Sequence, residues 1–191
     1  MLVHIDQQLL LFLNSLNSPF WDRMMWIISG RVTWIPLYLA ILYVLAFRYR
    51  RKMYILVLMI AITVAAGDRI SVLIKNTVKR PRPCHEQLLE GKVHIVNGKC
   101  GGMYGFVSSH ATNAFSVALL SLLLIGKRGF SIAMIFWALL VGYSRIYLGV
   151  HYPGDVLFGS LLGALIGWSV YRLYCYLDNR WLKRSDWFNP V

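Results

Sequence analysis

Two histidines, one carboxylate and three well-separated cations carry the chemistry available to this chain. The densest stretch runs Ser144-Arg145-Ile146-Tyr147-Leu148-Gly149-Val150-His151-Tyr152-Pro153-Gly154-Asp155. His151 and Asp155 are four residues apart, so a helix starting here sets both on one face within hydrogen-bonding reach. Such a carboxylate fixes one imidazole tautomer and leaves the other ring nitrogen free as base or nucleophile. Arg145 adds a permanent, forked cation suited to a phosphate. A second piece, Lys75-Asn76-Thr77-Val78-Lys79-Arg80-Pro81-Arg82-Pro83, carries a lysine followed seven residues later by Arg-Pro. A third, Val107-Ser108-Ser109-His110, offers hydroxyls and a second imidazole at the head of an apolar run. Together they suit a phosphate dianion: cations and helix N-terminal groups to hold it, and imidazole to attack or protonate it. Each piece alone also has a plain structural reading, as membrane-edge arginine, capped helix start or turn.

The elements that must position these groups are membrane helices. At 191 residues the chain is one domain by length, spanning 1–191. Its 58% hydrophobic content exceeds the roughly 45–50% of soluble proteins, and several runs reach the ~18–20 residues that cross a bilayer. The net charge of +12 is scattered between these runs, which excludes a nucleic-acid face and marks topology instead. No signal-peptide pattern is expected, because Asp6 and a weak apolar stretch stand where a basic start and clean core belong. The expected fold is all-α: a polytopic helix bundle of about five transmembrane helices plus an N-terminal interfacial helix.

Residues 1–19 carry Leu2, Ile5, Leu9, Leu13 and Leu16 at helical spacing, which suits a helix lying in the interface or packed across the bundle. Phe20 to Phe47 reads as one long crossing, kinked at Gly30-Arg31 and Pro36. Further spans are expected at 53–74, 109–125, 130–144 and 152–177, with a polar loop over 76–106 and a basic, Trp-bearing tail over 178–191 that carries Arg180, Lys183, Arg184 and Trp187. Counting crossings puts Lys75, His110, Arg145 and His151 on one membrane face. Arg48 to Lys52, Lys127-Arg128 and the tail fall on the other. Short loops rich in Lys and Arg stay cytoplasmic, so the polar cluster is expected to face the periplasm from a bacterial cytoplasmic (inner) membrane.

This pattern resembles the type 2 phosphatidic acid phosphatase superfamily, the lipid phosphate phosphatases. Lys75, Arg82 and Pro83 match its Lys-x6-Arg-Pro signature, and Ser144, Arg145, His151 and Asp155 match Ser-Arg-x5-His-x3-Asp. The middle signature, Pro-Ser-Gly-His, keeps Ser108 and His110 but has Val107 for proline and Ser109 for glycine. Family members often have six spans, so an N-terminal crossing is missing by this count. The resemblance covers residues 53–175 and implies roles. His151 would attack phosphorus to give a phosphohistidine, with Asp155 orienting the ring and His110 protonating the leaving oxygen. Lys75, Arg82, Arg145, Ser108 and the N–H groups near Ser109 would hold the non-bridging oxygens. No metal and no cofactor are expected.

The implied substrates are membrane lipid phosphates and pyrophosphates. A small chain with a short loop favours undecaprenyl pyrophosphate over phosphatidylglycerol phosphate or the phosphates of lipid A. Lipid-to-lipid phosphotransfer and non-catalytic lipid binding or transport are the competing readings, and oligomeric state is left open. Asp68 lies seven residues before Lys75 on the same helix face, which suits an ion pair or support for the site. Lys79 and Arg80 read as solvated loop charge or as contacts to lipid headgroups. Cys84 and Cys100 share the outward loop, where a disulfide is permitted but not required. With His85 and His94 they fit no standard zinc spacing, and adjacent Cys84-His85 is awkward for tetrahedral ligation.

Overall fold

A computed structural model of the chain describes residues 2–182. Among these residues there are seven α-helices and no strand: α1 Leu2–Ser15, α2 Pro19–Ser29, α3 Ile35–Tyr49, α4 Met53–Val78, α5 Ser109–Ile125, α6 Arg128–Tyr147 and α7 Pro153–Leu177. Four stretches, Val32–Tyr49, Met53–Val78, Arg128–Tyr147 and Pro153–Arg180, are long and apolar enough to cross a membrane, and the apolar α5 runs among them. The chain is an all-α, multi-pass membrane bundle. Lys183, Arg184 and Trp187 of the expected tail lie outside the described residues.

The bundle is built around α5, whose buried face meets α4, α6 and above all α7. The α5–α7 contact has a specific cause. Gly159, Gly163 and Gly167 repeat every fourth residue on α7, opposite Ser108, Thr112 and Ser116 on α5. A Cβ at Gly163 would stand 2.2 Å from the Thr112 carbonyl oxygen, and one at Gly167 2.5 Å from that of Ser116. Only small residues permit such backbone approach, and close packing is the main cohesive force between helices in lipid. The apolar core then fills with Leu56, Met59, Val117, Leu120, Leu124, Met134, Val141 and Ile166.

The expected single crossing from Phe20 to Phe47 is instead two helices. Gly30 is extended (φ −68°, ψ 133°) and ends α2, with its N–H on the Ile27 carbonyl. Thr33 Oγ1 and the Trp34 indole donate to the Ile27 and Ile28 carbonyls, closing the break. Pro36 does not kink the chain, because it sits in the first turn of α3, where no amide donor is needed. The crossing therefore begins at Val32. α2 lies with α1 at the end of the bundle where α6 finishes and α7 begins: Met25 packs with Val96, Tyr147, Leu148 and Val150. Helix α1 packs one face on the bundle and leaves the other open. Leu10 and Asn14 are buried against the bundle, while Val3, Ile5, Leu9, Phe12 and Leu16 stay exposed, as an interfacial helix requires.

α4 runs a turn beyond its expected end, to Val78, where Lys79 in the left-handed region (φ 53°) stops it. The loop that follows is tied by short backbone bonds, Arg82 N–H to the Met103 carbonyl and Gly105 N–H to the Arg80 carbonyl. It is closed by a Cys84–Cys100 disulfide, which settles the pairing left open by sequence.

Candidate active site

His151 and Asp155 meet because α7 starts between them. Pro153 occupies the first turn, and the Asp155 carboxylate folds back to accept the Tyr152 N–H at 3.1 Å, a reverse cap on the helix. The same Oδ2 lies 3.3 Å from His151 Nδ1. The other oxygen, Oδ1, accepts from Arg80 at 2.9 Å. Both side chains are buried, His151 to 1% exposure and Asp155 to 0%. The preceding turn needs Gly149, which has φ +71° and would otherwise drive a Cβ to 2.7 Å from the His94 carbonyl oxygen. Gly105 brings the loop backbone against the pair: a Cβ there would be 2.8 Å from Asp155 Oδ2 and 3.5 Å from His151 Nδ1.

The three expected cations come from three segments at this same end. Arg82 is held by backbone carbonyls alone, Nε to Tyr104 at 3.3 Å and Nη1 to Cys100 at 3.3 Å and Val150 at 3.4 Å. Arg145 donates from Nη1 to Ser29 Oγ on α2, and its buried Nε has no acceptor. Lys75 donates to Ser109 Oγ, which also meets Ser71 Oγ at 2.7 Å. Among the described residues none of the three is ion-paired, which leaves their charge for an anion. Ser108 caps α5, its Oγ accepting from Ala111 N–H at 3.5 Å and its N–H donating to the Asp155 carbonyl at 3.0 Å. The N–H groups of Ser109 and His110 open the helix without an intrahelical acceptor, as an anion site requires. Ser109 replaces glycine without strain, since positive φ is confined to other residues.

His110 is half-buried one residue into α5 and faces a cavity of about 200 Å³ shared with Ser29 and Arg31. The two imidazoles lie within electrostatic range of each other, and Arg82 and Arg145 act on both. Burial holds His151 well below the usual histidine range, and the charges of Arg82, Arg145 and Lys75 push the same way. The ring is therefore kept neutral, the form in which an imidazole can serve as base or nucleophile. Burial also lowers Arg82, against the pull of Asp155. The arrangement provides an oriented imidazole, unneutralised cations around it and a second imidazole beside a cavity. That equipment suits phosphoryl transfer, which depends on positioning and charge stabilisation.

Two expectations change. Arg80 is neither solvated nor free for headgroups: it bridges Asp155 to Asp6 of α1 at 2.7 Å and stacks on Tyr152, its guanidinium carbon 4.0 Å from the ring centre. Asp6 accepts in turn from Gly154 N–H at 2.8 Å, so α1 is stitched to the start of α7. Asp68 forms no ion pair with Lys75; its Oδ1 accepts from Asn113 Nδ2 at 2.8 Å. Asp6, Gly105, Ser29, Arg31 and Ser71 were not singled out by the motifs. With only eight acidic residues in the chain, an aspartate inside the apolar α1 was the one available signal for Asp6.

Known proteins share the sequence pattern and the fold. The family model described as "PAP2 superfamily" matches residues 52–178. A protein named lipid A 4'-phosphatase from Bacteroides thetaiotaomicron is 42% identical over 87% of this chain and 76% of its own length. Another of that name from Porphyromonas gingivalis is 32% identical over 96% and 79%. An undecaprenyl-diphosphatase from Bacillus subtilis is 33% identical over 61% of this chain and 56% of its own. Among solved structures, Aquifex aeolicus LpxE superposes with a TM-score of 0.68, at 24% identity over 87% of this chain and 94% of that one, and shares the fold.

Proposed function

Because the chain belongs to the PAP2 superfamily, where it is a hydrolase of lipid phosphates, we propose that it removes a phosphate from a lipid A-type saccharolipid. The carrier-lipid pyrophosphate favoured by chain length gives way here. The two lipid A 4'-phosphatases align with most of this chain and of themselves, the undecaprenyl-diphosphatase with little more than half of each. The observation that carries the catalytic reading is the buried His151–Asp155 pair set among three cations that no carboxylate neutralises.

In this mechanism Lys75, Arg82, Arg145 and the first amides of α5 hold the non-bridging oxygens. His151 Nε2 attacks phosphorus in line, forming a P–N bond as the P–O bond to the lipid breaks. Asp155 steadies the positive ring, and His110, protonated while the phosphate dianion is bound beside it, gives its proton to the departing oxygen. Water then attacks phosphorus while His110 takes a proton back. The P–N bond breaks, phosphate leaves and neutral His151 returns. No step needs a metal. Arg48, Arg50, Arg51, Lys52, Lys127 and Arg128 cluster at the end away from the site. The positive-inside rule then turns the site toward the periplasm of a bacterial inner membrane.

The test is phosphate release by detergent-solubilised protein, in EDTA, from lipid A and from undecaprenyl pyrophosphate. Turnover of lipid A is expected, with radiolabel trapped on His151 in acid-labile form. His151→Ala is expected to lose at least about 10⁴-fold, as loss of a nucleophile does. Turnover that persists in that variant would remove the mechanism. Release from undecaprenyl pyrophosphate alone would remove the substrate assignment and leave the mechanism standing.

A further inference from the structure

The cavity beside His110 holds polar groups that the phosphate chemistry does not use. It runs inward between α3, α4, α5 and α6, past Asp68 and Asn113 to Trp137. Trp137 lies eight residues before Arg145 on α6, so it sits about 12 Å deeper in the membrane. Its indole Nε1 is buried and has no acceptor, although Trp34 and Tyr38 pack edge-on against its ring at 5.6 and 6.1 Å. Asp68 spends one carboxylate oxygen on Asn113. Gly67 makes room for that amide, since a Cβ there would lie 2.3 Å from Asn113 Oδ1. Asn113 Oδ1 is itself buried without a donor, and half-buried Asp68 lines the same cavity beside it.

These groups are costly where they are. A buried polar group without a partner costs about 1–3 kcal/mol, and lipid supplies no water to relieve it. An acidic side chain inside a membrane bundle points to a function. Asp68 is unsuited to the phosphate itself, which it repels. Its place follows from the reaction geometry. In-line attack by His151 puts the leaving group on the far side of phosphorus, where His110 stands. The cavity behind His110 thus receives what is attached to the departing oxygen. A polyprenyl monophosphate brings only hydrocarbon to that position, and a polyprenyl pyrophosphate brings a second phosphate, which Asp68 repels. A sugar ring brings hydroxyl and amide groups that donate to Asp68 and accept from the Trp137 N–H. The size agrees: a cavity of about 150 Å³ takes a benzene ring, and this one of about 200 Å³ takes a substituted six-membered ring.

The geometry points to Asp68 and Trp137 as specificity-determining residues that select a hydrogen-bonding, pyranose-type leaving group over a polyprenyl one. This rests on the lipid phosphatase reading above and names what that site distinguishes.

The experiment measures kcat and KM on a monophosphorylated N-acyl glucosamine lipid and on undecaprenyl phosphate, for wild type, Trp137→Phe and Asp68→Asn. Asp68→Asn keeps side-chain shape, and Trp137→Phe keeps an aromatic ring while removing the indole N–H. The ratio of kcat/KM, sugar lipid over polyprenyl lipid, is expected to fall about five- to tenfold in Trp137→Phe and about ten- to hundredfold in Asp68→Asn. The loss should appear mainly in KM if the contacts form equally in substrate and transition state. Remaining turnover of the polyprenyl lipid verifies folding, and if one variant is inactive on both lipids the other decides. A wild-type enzyme active on both lipids, with a ratio neither substitution moves, overturns the pocket assignment alone. A wild-type enzyme that ignores the sugar lipid overturns the substrate reading as well, and that result is read before any variant is made.

Discussion

The two ends of the bundle are built on different terms. At the end away from the site, helices are joined by short turns, α5 to α6 by Gly126 and Lys127 alone. Few tertiary polar contacts are made there: Tyr49 donates to the Leu124 carbonyl at 2.7 Å, and Lys52 pairs with Asp178. At the site end, α1, α2 and the loop over 79–108 pack where α6 finishes and α7 begins. Buried polar groups gather there, with Ser108, Ser144, His151 and Asp155 each at 1% exposure or less. The difference teaches what a charged site at a membrane edge requires. Uncompensated cations are kept for a ligand where the carboxylates nearby have other partners, as Asp155 and Asp6 have. The N-terminal helices and the loop supply those partners.

Arg80 is where this arrangement breaks most severely. It holds Asp155 Oδ1, Asp6 and the face of Tyr152 at once. Arg80→Ala leaves a buried carboxylate without its cation, which costs about 3–5 kcal/mol, toward the lower figure because Arg80 is 23% exposed. Activity should fall about 10–100-fold as Asp155 loses its orientation, and Arg80→Lys should restore only part, since a lysine cannot bridge two carboxylates as a fork. Thermal unfolding in detergent and phosphate release measure the two effects. An Arg80→Ala enzyme with unchanged kcat would show that Asp155 is positioned by the helix cap alone.

The glycine stripe on α7 links the two ends, so disturbing its middle should affect both. Gly163→Ala puts a methyl 2.2 Å from the Thr112 carbonyl oxygen and forces α5 and α7 apart. Overpacking of this kind costs about 1–3 kcal/mol, seen as a lowered Tm. Because Ser108 donates to the Asp155 carbonyl across the same interface, kcat should fall with stability. A lowered Tm with full activity would separate the scaffold from the site.

The pH response should also distinguish the ends. His151 is held below the ordinary value of about 6.5 by burial and by Arg82, Arg145 and Lys75. Below that pH the unfolded chain binds a proton that the folded ring refuses, so stability falls as pH drops through 6.5. The free ring itself should stay neutral. Nitrogen NMR of labelled His151 between pH 7 and 5.5 should show an unchanged neutral tautomer, and a ring that titrates near 6.5 would mean the cations are neutralised.

Much of this was legible in the residues. Helix periods and charge breaks placed α5 and α7 within a residue of their ends, because lipid allows only helices with internally satisfied backbones. The spacing Lys75–Arg82, Ser108–His110 and Arg145–His151–Asp155 located the site, since each piece spans a helix end that the topology brings to one face. The break at Gly30 was not legible. Gly30-Arg31 and Pro36 signal a kink as readily as a stop, and only the packing of α2 on α6 decides between them. Arg80 was not legible either, because a loop arginine between Lys79 and Arg82 carries no mark of its partner. Its partners, Asp6 and Asp155, stand 74 and 75 residues away along the chain. The Gly159-Gly163-Gly167 stripe was in plain view, but its meaning depends on which helix faces it.

The smallest effect is expected from the ion pair at the other end. Lys52 and Asp178 are 16% and 19% exposed, close to the 23% of Arg80, so burial of the cation alone does not rank the two pairs. What differs is the carboxylate: Asp178 keeps access to water, whereas Asp155 has none. Removing the cation from Asp178 therefore lets water take its place, and Lys52→Met should cost at most about 1 kcal/mol. The loss should shrink further in high salt, which screens a pair with solvent access more than an enclosed one. kcat should not change, because this contact lies a full membrane crossing from His151. If Lys52→Met reduced kcat as Arg80→Ala does, the two ends would be coupled through α4 and α7, and the site would depend on the whole bundle instead of the layer packed over it.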